Sequence, residues 1–161
     1  MPTRALVLAL SLAMALSGVA CAAERRTVND AAVAAEQVSA MKLRLKVGEK
    51  ILAASLIDSE TTRDFISLLP LNLTMNDLFS REKSGDLPRP ISEGGQRTRN
   101  YVVGDIIYWS PSAHLAIYYR YDGQSIPPPG IIVIGKIDSG VEALNVPGPV
   151  NVTIELIGQQ Q

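Results

Sequence analysis

The chain is poor in the residues that carry most side-chain chemistry. Among its 161 residues there is one cysteine, Cys21, and one histidine, His114. A single cysteine excludes an intramolecular disulfide scaffold, and one histidine with no further thiol excludes a zinc site of usual composition. Charge is balanced: 15 Lys and Arg against 16 Asp and Glu leave a net charge of −1, which excludes a basic nucleic-acid binder. Aromatic residues make up 5% of the chain and all lie between Phe65 and Tyr121. No apolar run reaches the roughly 20 residues of a membrane helix, so a polytopic membrane protein is excluded too. A Ser–His–acid triad is not excluded by count, but no serine sits in a nucleophile elbow. Gly94-Gly95 has no capped helix after it and makes a poor phosphate cradle.

What is present begins with an export-like start. Met1–Arg4 is short and positively charged, Ala5–Leu16 is an uncharged Ala/Leu stretch, and Ala20-Cys21-Ala22 supplies small residues at the spacing a signal peptidase reads. Residues 1–22 are therefore read as a secretory signal peptide. Cys21 offers a rival reading as the lipidated first residue of a lipoprotein, although Gly18 stands where such a signal has Leu. The expected location is exported, periplasmic or secreted, with lipid anchoring at Cys21 as the alternative. Membrane contact is expected only through that signal or anchor. Residues 23–40 are polar and Ala-rich, a tether or a frayed helix.

The domain proper is expected over residues 41–158, enough chain for one core. Met41, Leu43, Leu45 and Val47 alternate with Lys42, Arg44 and Lys46, the period of a half-buried strand. Gly48-Glu49-Lys50 turns the chain, and Ile51–Leu56 returns as a second strand. Ser59 is placed to cap a short helix through about Leu68, which Pro70 stops. Leu71, Leu73 and Met75 alternate again, and Asn76–Asn100 then reads as a long irregular stretch rich in Gly, Pro and charge. Strands follow at Tyr101–Trp109, Leu115–Tyr121 and Ile131–Ile137, a helical turn at Val141–Leu144, and a last strand over Val150–Leu156. The implied class is mainly β, a closed or nearly closed barrel with one or two short helices.

Strand, turn, strand and short helix over residues 41–69 resemble the opening of cyclophilins, including the spacing of Leu56, Asp58, Thr62 and Phe65. Four segments bring the chain closer to a bacterial group of cyclophilin-like domain proteins of unassigned function. They are Leu68–Met75, Glu82–Pro88, Gly104–Trp109 with Leu115–Tyr119, and Ile134–Ile137. The resemblance implies a closed cyclophilin-like β-barrel; it implies no settled activity. Prolyl isomerisation needs an apolar slot and a fixed donor, usually a guanidinium, that weakens amide resonance. Cyclophilins place Phe-His-Arg on the strand after the first helix. Here that strand reads Leu71-Asn72-Leu73-Thr74-Met75, so the catalytic set does not carry over.

Candidate binding residues are therefore chosen on their own chemistry. Tyr108 and Trp109 alternate on one strand and Tyr118 and Tyr119 on the next, so one of each pair faces a core and the other an outer face. Such rings offer a ligand apolar area and a polar tip. Arg63, on the short helix, and Arg89, held between Pro88 and Pro90, are the candidate guanidiniums, and His114 is read as a surface turn residue. Asn72-Leu73-Thr74 and Asn151-Val152-Thr153 fit the glycosylation pattern but fall on predicted strands. Together these readings favour a non-catalytic module that binds an extended peptide or a small molecule, beside the loops at Asp86–Pro90 and Ile126–Gly130. A divergent peptidyl-prolyl isomerase and a structural or assembly partner in the cell envelope are the alternatives. No cofactor, metal or nucleic acid is expected.

Overall fold

The structure, a computed structural model, describes residues 41–157 and the isolated helical positions Asp30, Ala32, Val33 and Glu36, all four exposed. The signal-peptide reading, Cys21 and most of the 23–40 tether lie outside the described residues.

Lys42–Val47 (β1) and Lys50–Leu56 (β2) form the first hairpin, in full register from Lys42 opposite Ser55 to Val47 opposite Lys50. Their alternation buries Leu43, Leu45, Val47, Leu52, Ala54 and Leu56 on one side. Ser59 then caps the α-helix Glu60–Ile66 (α1) by accepting a hydrogen bond from the Thr62 N–H at 3.0 Å. Phe65 of α1 is fully buried in the core.

Seven strands follow: Leu71–Leu78 (β3), Glu82–Asp86 (β4), Arg97–Thr98 (β5), Asp105–Trp109 (β6), His114–Tyr118 (β7), Ile131–Ile137 (β8) and Val150–Ile157 (β9). The hydrogen-bonded order is β2-β1-β9-β3-β4-β7-β6-β8, every pairing is antiparallel, and β2 pairs with β8 to close the circle. Closure leaves no free edge on the barrel itself, the usual hazard of a sheet. Short β5 adds to the far end of β8.

Two corrections to the sequence reading concern boundaries. The stretch Asn76–Asn100 is not one irregular loop, because β3 runs on to Leu78, and β4 and β5 lie within it. β4 was invisible to hydrophobic periodicity because its inward positions are Lys83 and Gly85, and its outward ones Glu82 and Ser84. Gly85 is required there: a Cβ would lie 3.1 Å from the Thr74 carbonyl oxygen and 3.2 Å from Met75 Cγ. Lys83 is fully buried and donates to Asp77 Oδ2 at 2.7 Å, the Val146 carbonyl at 2.6 Å and the Gly148 carbonyl at 2.7 Å. All its protons are thus used, two of them to tie the segment before β9 onto the β3–β4 hairpin and one within the hairpin. The second correction is that the strands expected at Tyr101–Trp109 and Leu115–Tyr121 are shorter, starting at Asp105 and ending at Tyr118.

The two glycosylation-like triplets have a structural explanation. Asn72 faces Thr153 and Thr74 faces Asn151 across β3 and β9. Each threonine hydroxyl donates to the opposed asparagine, at 2.7 Å and 3.0 Å respectively. The repeated Asn-x-Thr is a reciprocal cross-strand ladder.

Candidate functional site

Most of the apolar residues fill the barrel, but a second, smaller cluster sits on its outside. Tyr101, Ile107, Ala116, Tyr118, Ile126 and Ile131 pack there, with Trp109 and Val133 at the margin. Both faces of β6 and β7 are consequently buried, which is why their sequences run apolar without interruption. The cover comes from the segments around Tyr101 and Ile126, joined by Ile126 N–H to the Arg99 carbonyl at 2.9 Å and Arg99 Nε to the Ile126 carbonyl at 2.7 Å.

The cover leaves a cavity of about 360 Å³ open on the outer face of β4, β7, β6 and β8. Strand register explains its position. Along one row Glu82 stands opposite Tyr118; along the next, Ser84 opposite Ala116 and Ala116 opposite Ile107; along the third, Asp86 opposite His114 and His114 opposite Trp109. In the middle row Ser84 and Ala116 are small, so beside Ile107 they form a floor between Tyr118 on one side and His114 and Trp109 on the other. Phe79 from the β3–β4 turn and Pro127 raise the walls. Phe79 and Ser80 both hold left-handed backbone (φ 54° and 50°), a conformation that costs a side-chain-bearing residue about 1–2 kcal/mol. Phe79 is nevertheless 69% exposed. The turn thus presents a large ring to solvent at the cavity rim.

The polar end of the cavity is a closed network. Arg81 is almost fully buried, and its guanidinium lies over the Phe79 ring at 5.0 Å and the Tyr118 ring at 5.8 Å. Its Nη1 donates to Asp122 Oδ2 at 3.0 Å, and its Nε reaches Glu82 Oε1 at 3.4 Å. Tyr101 stacks on Tyr118 with ring centroids 3.9 Å apart, and its hydroxyl donates to Asp122 Oδ1 at 2.6 Å. That hydrogen bond, aided by the Gln124 N–H, holds Asp122 at about 2. Burial pushes the Glu82 carboxyl above its ordinary range, against the pull of Arg81 and Tyr118. The Tyr118 hydroxyl is also pushed up, chiefly by burial and then by the Glu82 charge. At the opposite rim His114 Nε2 lies 2.7 Å from Asp86 Oδ1. Among the described residues no three His, Cys, Asp or Glu side chains gather closely enough to hold a metal ion.

The residues singled out from sequence divide three ways. Trp109 and Tyr118 line the cavity. Tyr108 and Tyr119 turn into the barrel, where the Tyr108 hydroxyl accepts from the Ile91 N–H at 3.2 Å and that of Tyr119 donates to Asp77 at 2.8 Å. A ligand on the outer face does not meet them. Arg63 and Arg89 are exposed and belong to neither group. Arg63 pairs with Asp58 at 2.7 Å, while Arg89 pairs with Asp64 and so staples the Pro88–Ser92 segment to α1. Of the loops expected to flank a site, Ile126–Gly130 contributes Ile126 and Pro127 to the cavity, while Asp86–Pro90 contributes no lining residue.

The sequence profile of the cyclophilin-like family matches residues 45–155, which is every barrel strand in whole or part. The chain belongs to the cyclophilin-like family. A hypothetical protein from Archaeoglobus fulgidus, whose solution structure is known, shares the fold with a TM-score of 0.61 at 23% identity. The alignment covers 74% of this chain and 97% of that one. At that identity the likeness speaks for the fold alone. No protein of curated function matches the chain. Family membership thus accounts for the barrel and leaves the cavity to be read from its own residues. Phe79, Arg81, Glu82, Ser84 and His114 were not among the candidates from sequence. Four of these lie in the polar run that lacked any strand signal, and His114 stood alone without a partner near it in sequence.

Proposed function

We propose that this cyclophilin-like protein is an exported, non-catalytic binding module whose outer-face cavity takes a small molecule or one side chain of an extended peptide. The observation that carries this reading is the small-residue floor, Ser84 and Ala116, between Phe79, Tyr118 and Trp109. A sheet face that served only stability would fill that row, since close packing is the norm and voids are destabilising. The volume falls at the lower end of small-molecule sites. Export rests on the N-terminal pattern alone, with lipid anchoring at Cys21 as its variant.

The divergent-isomerase alternative has one observation in its favour, a guanidinium beside an apolar cavity. Arg81 already spends its Nε and Nη1 on Glu82 and Asp122, so a twisting amide finds a donor that two carboxylates have neutralised. That weighs toward binding. The envelope-assembly alternative draws on the exposed rings of Phe79 and Tyr121, and binding by the cavity accounts for Phe79 more directly.

Ser84→Leu should fill the floor without touching the barrel interior, because Ser84 points outward. A panel of small apolar fragments and short peptides is screened against both full chains by quenching of Trp109, the only tryptophan. Binding to the wild-type chain that Ser84→Leu abolishes supports the reading. An equal response from both chains, or none across the panel, overturns it.

A further inference from the structure

The charges around the cavity do not balance. Arg81 is engaged by two carboxylates, the buried Glu82 and the exposed Asp122, so the three groups together carry one excess negative charge. The guanidinium favours Asp122, at 3.0 Å, over Glu82, at 3.4 Å. Glu82 is only 5% exposed and lines the cavity. A carboxylate has about four acceptor positions, so one long contact from Arg81 and the neighbouring Tyr118 hydroxyl leave capacity on the cavity side. An ionised group so poorly compensated out of water favours any cation that can reach it.

The walls favour the same class. The faces of Phe79 and Tyr118 already attract one cation, Arg81. Among the described residues no cation stacks on Trp109, so its ring, two rows from Glu82, is left to the apolar part of a ligand. Glu82 and the Trp109 row are separated by the row of Ser84, Ala116 and Ile107. At about 3.3 Å per residue the Glu82 and Trp109 rows lie about 13 Å apart, so an apolar body roughly 7 Å long with its charged end at Glu82 would lie on that floor and bring its far end toward the Trp109 ring.

Building on the reading of the cavity as a binding site, we propose that its ligand is a small organic cation, an apolar amine whose ammonium group is held by Glu82. An anion of the same shape would have to desolvate beside Glu82, and a neutral analogue would leave the carboxylate uncompensated. Arg81, Asp122, Tyr118 and Tyr101 hold the receptor side fixed, so little is spent on ordering it.

The test follows the single indole N–H signal of Trp109 in the full chain while three probes that share a phenylethyl body are titrated: 2-phenylethylammonium, 2-phenylethanol and 3-phenylpropionate. The ammonium compound is expected to bind at least about tenfold more tightly than the alcohol, the scale of one charge-assisted hydrogen bond, with the carboxylate weakest. Glu82→Gln should remove that preference for the amine, its fold being checked by amide dispersion. If the amine binds no better than the alcohol, or Glu82→Gln leaves the preference intact, the ligand class is wrong while the cavity reading stands. If none of the probes moves the Trp109 signal, the cavity reading falls with it. The wild-type comparison decides the ligand class even where the variant fails to fold.

Discussion

Replacing Lys83 by methionine is the sharpest test of how the barrel is held together. The substitution keeps an unbranched stem of similar length and removes only the ammonium group. Three acceptors lose their donor: Asp77 Oδ2, the Val146 carbonyl and the Gly148 carbonyl, all within 2.7 Å of Nζ. A stranded buried acceptor costs about 1–3 kcal/mol, and breaking a buried ion pair about 3–5 kcal/mol. Two features place this case at the low end. Asp77 keeps the Tyr119 hydroxyl at 2.8 Å and retains some exposure, and residues 145–149 lie largely at the surface, where water reaches the carbonyls. We therefore expect a loss of about 3 kcal/mol. Urea unfolding of the full chain at neutral pH, followed by Trp109 fluorescence, would then show a midpoint about 2 M lower for an m-value near 1.5 kcal/mol/M. Asp77→Asn, alone and combined with Lys83→Met, completes a double-mutant cycle, in which a coupling above about 1 kcal/mol is expected. A loss below about 1 kcal/mol for Lys83→Met, or strict additivity in the cycle, would refute the view that this buried ammonium closes the barrel.

Two further predictions concern the turn and the titration of the fold. Ser80→Gly should raise stability by about 0.5–1 kcal/mol, because relief of left-handed strain outweighs the entropy glycine adds to the unfolded chain. An unfolding midpoint below wild type would contradict this. The acid response follows from carboxylates on both sides of their ordinary values. Asp64, held at about 2 mainly by Arg89, Asp122, held at about 2 mainly by Tyr101, and Asp77, lowered mainly by Lys83, favour the folded state when ionised. Their contribution is complete above the ordinary 3.8 and is lost as pH falls toward 2. Glu82 acts in the opposite sense: its folded value is raised above 4.5, so its contribution is present below that pH and lost as pH rises through the folded value. The unfolding temperature should thus be highest in weakly acidic solution and drop steeply toward pH 2, with Glu82→Gln reducing the decline on the alkaline side and Asp105, also raised by burial, leaving the remainder. A flat profile between pH 2 and 5 would overturn the assignment.

The barrel was legible where one strand face is buried and the other is wet. β1 shows this best, with Leu43, Leu45 and Val47 inward against Lys42, Arg44 and Lys46 outward. It was illegible at β4, where a lysine and a glycine occupy the inward positions and periodicity has nothing to report. The tyrosine pairs show a subtler limit. That Tyr118 and Tyr119 face opposite ways follows from the strand itself, but which one faces the barrel does not, because Ile106 and Ile107 show that both sides of this sheet are buried. Only the covering segments around Tyr101 and Ile126 create the second apolar cluster, and they come from loops on both sides of the β6–β7 hairpin. The cavity was hidden for the same reason. Its floor depends on Ser84, Ala116 and Ile107 sharing one row across three strands, and its charge depends on residues as distant as Arg81 and Asp122.

The central claim, that the outer face of β4, β7 and β6 is where this protein meets its ligand, is tested most directly by an amide and indole chemical-shift map. The full chain is titrated with the fragment panel that quenches Trp109. The account predicts that the perturbed signals converge on Ser84, Ile107, Trp109, Ala116 and Tyr118. Signals that converge instead on α1 and the Pro88–Ser92 segment, or scatter over the barrel surface, would contradict it.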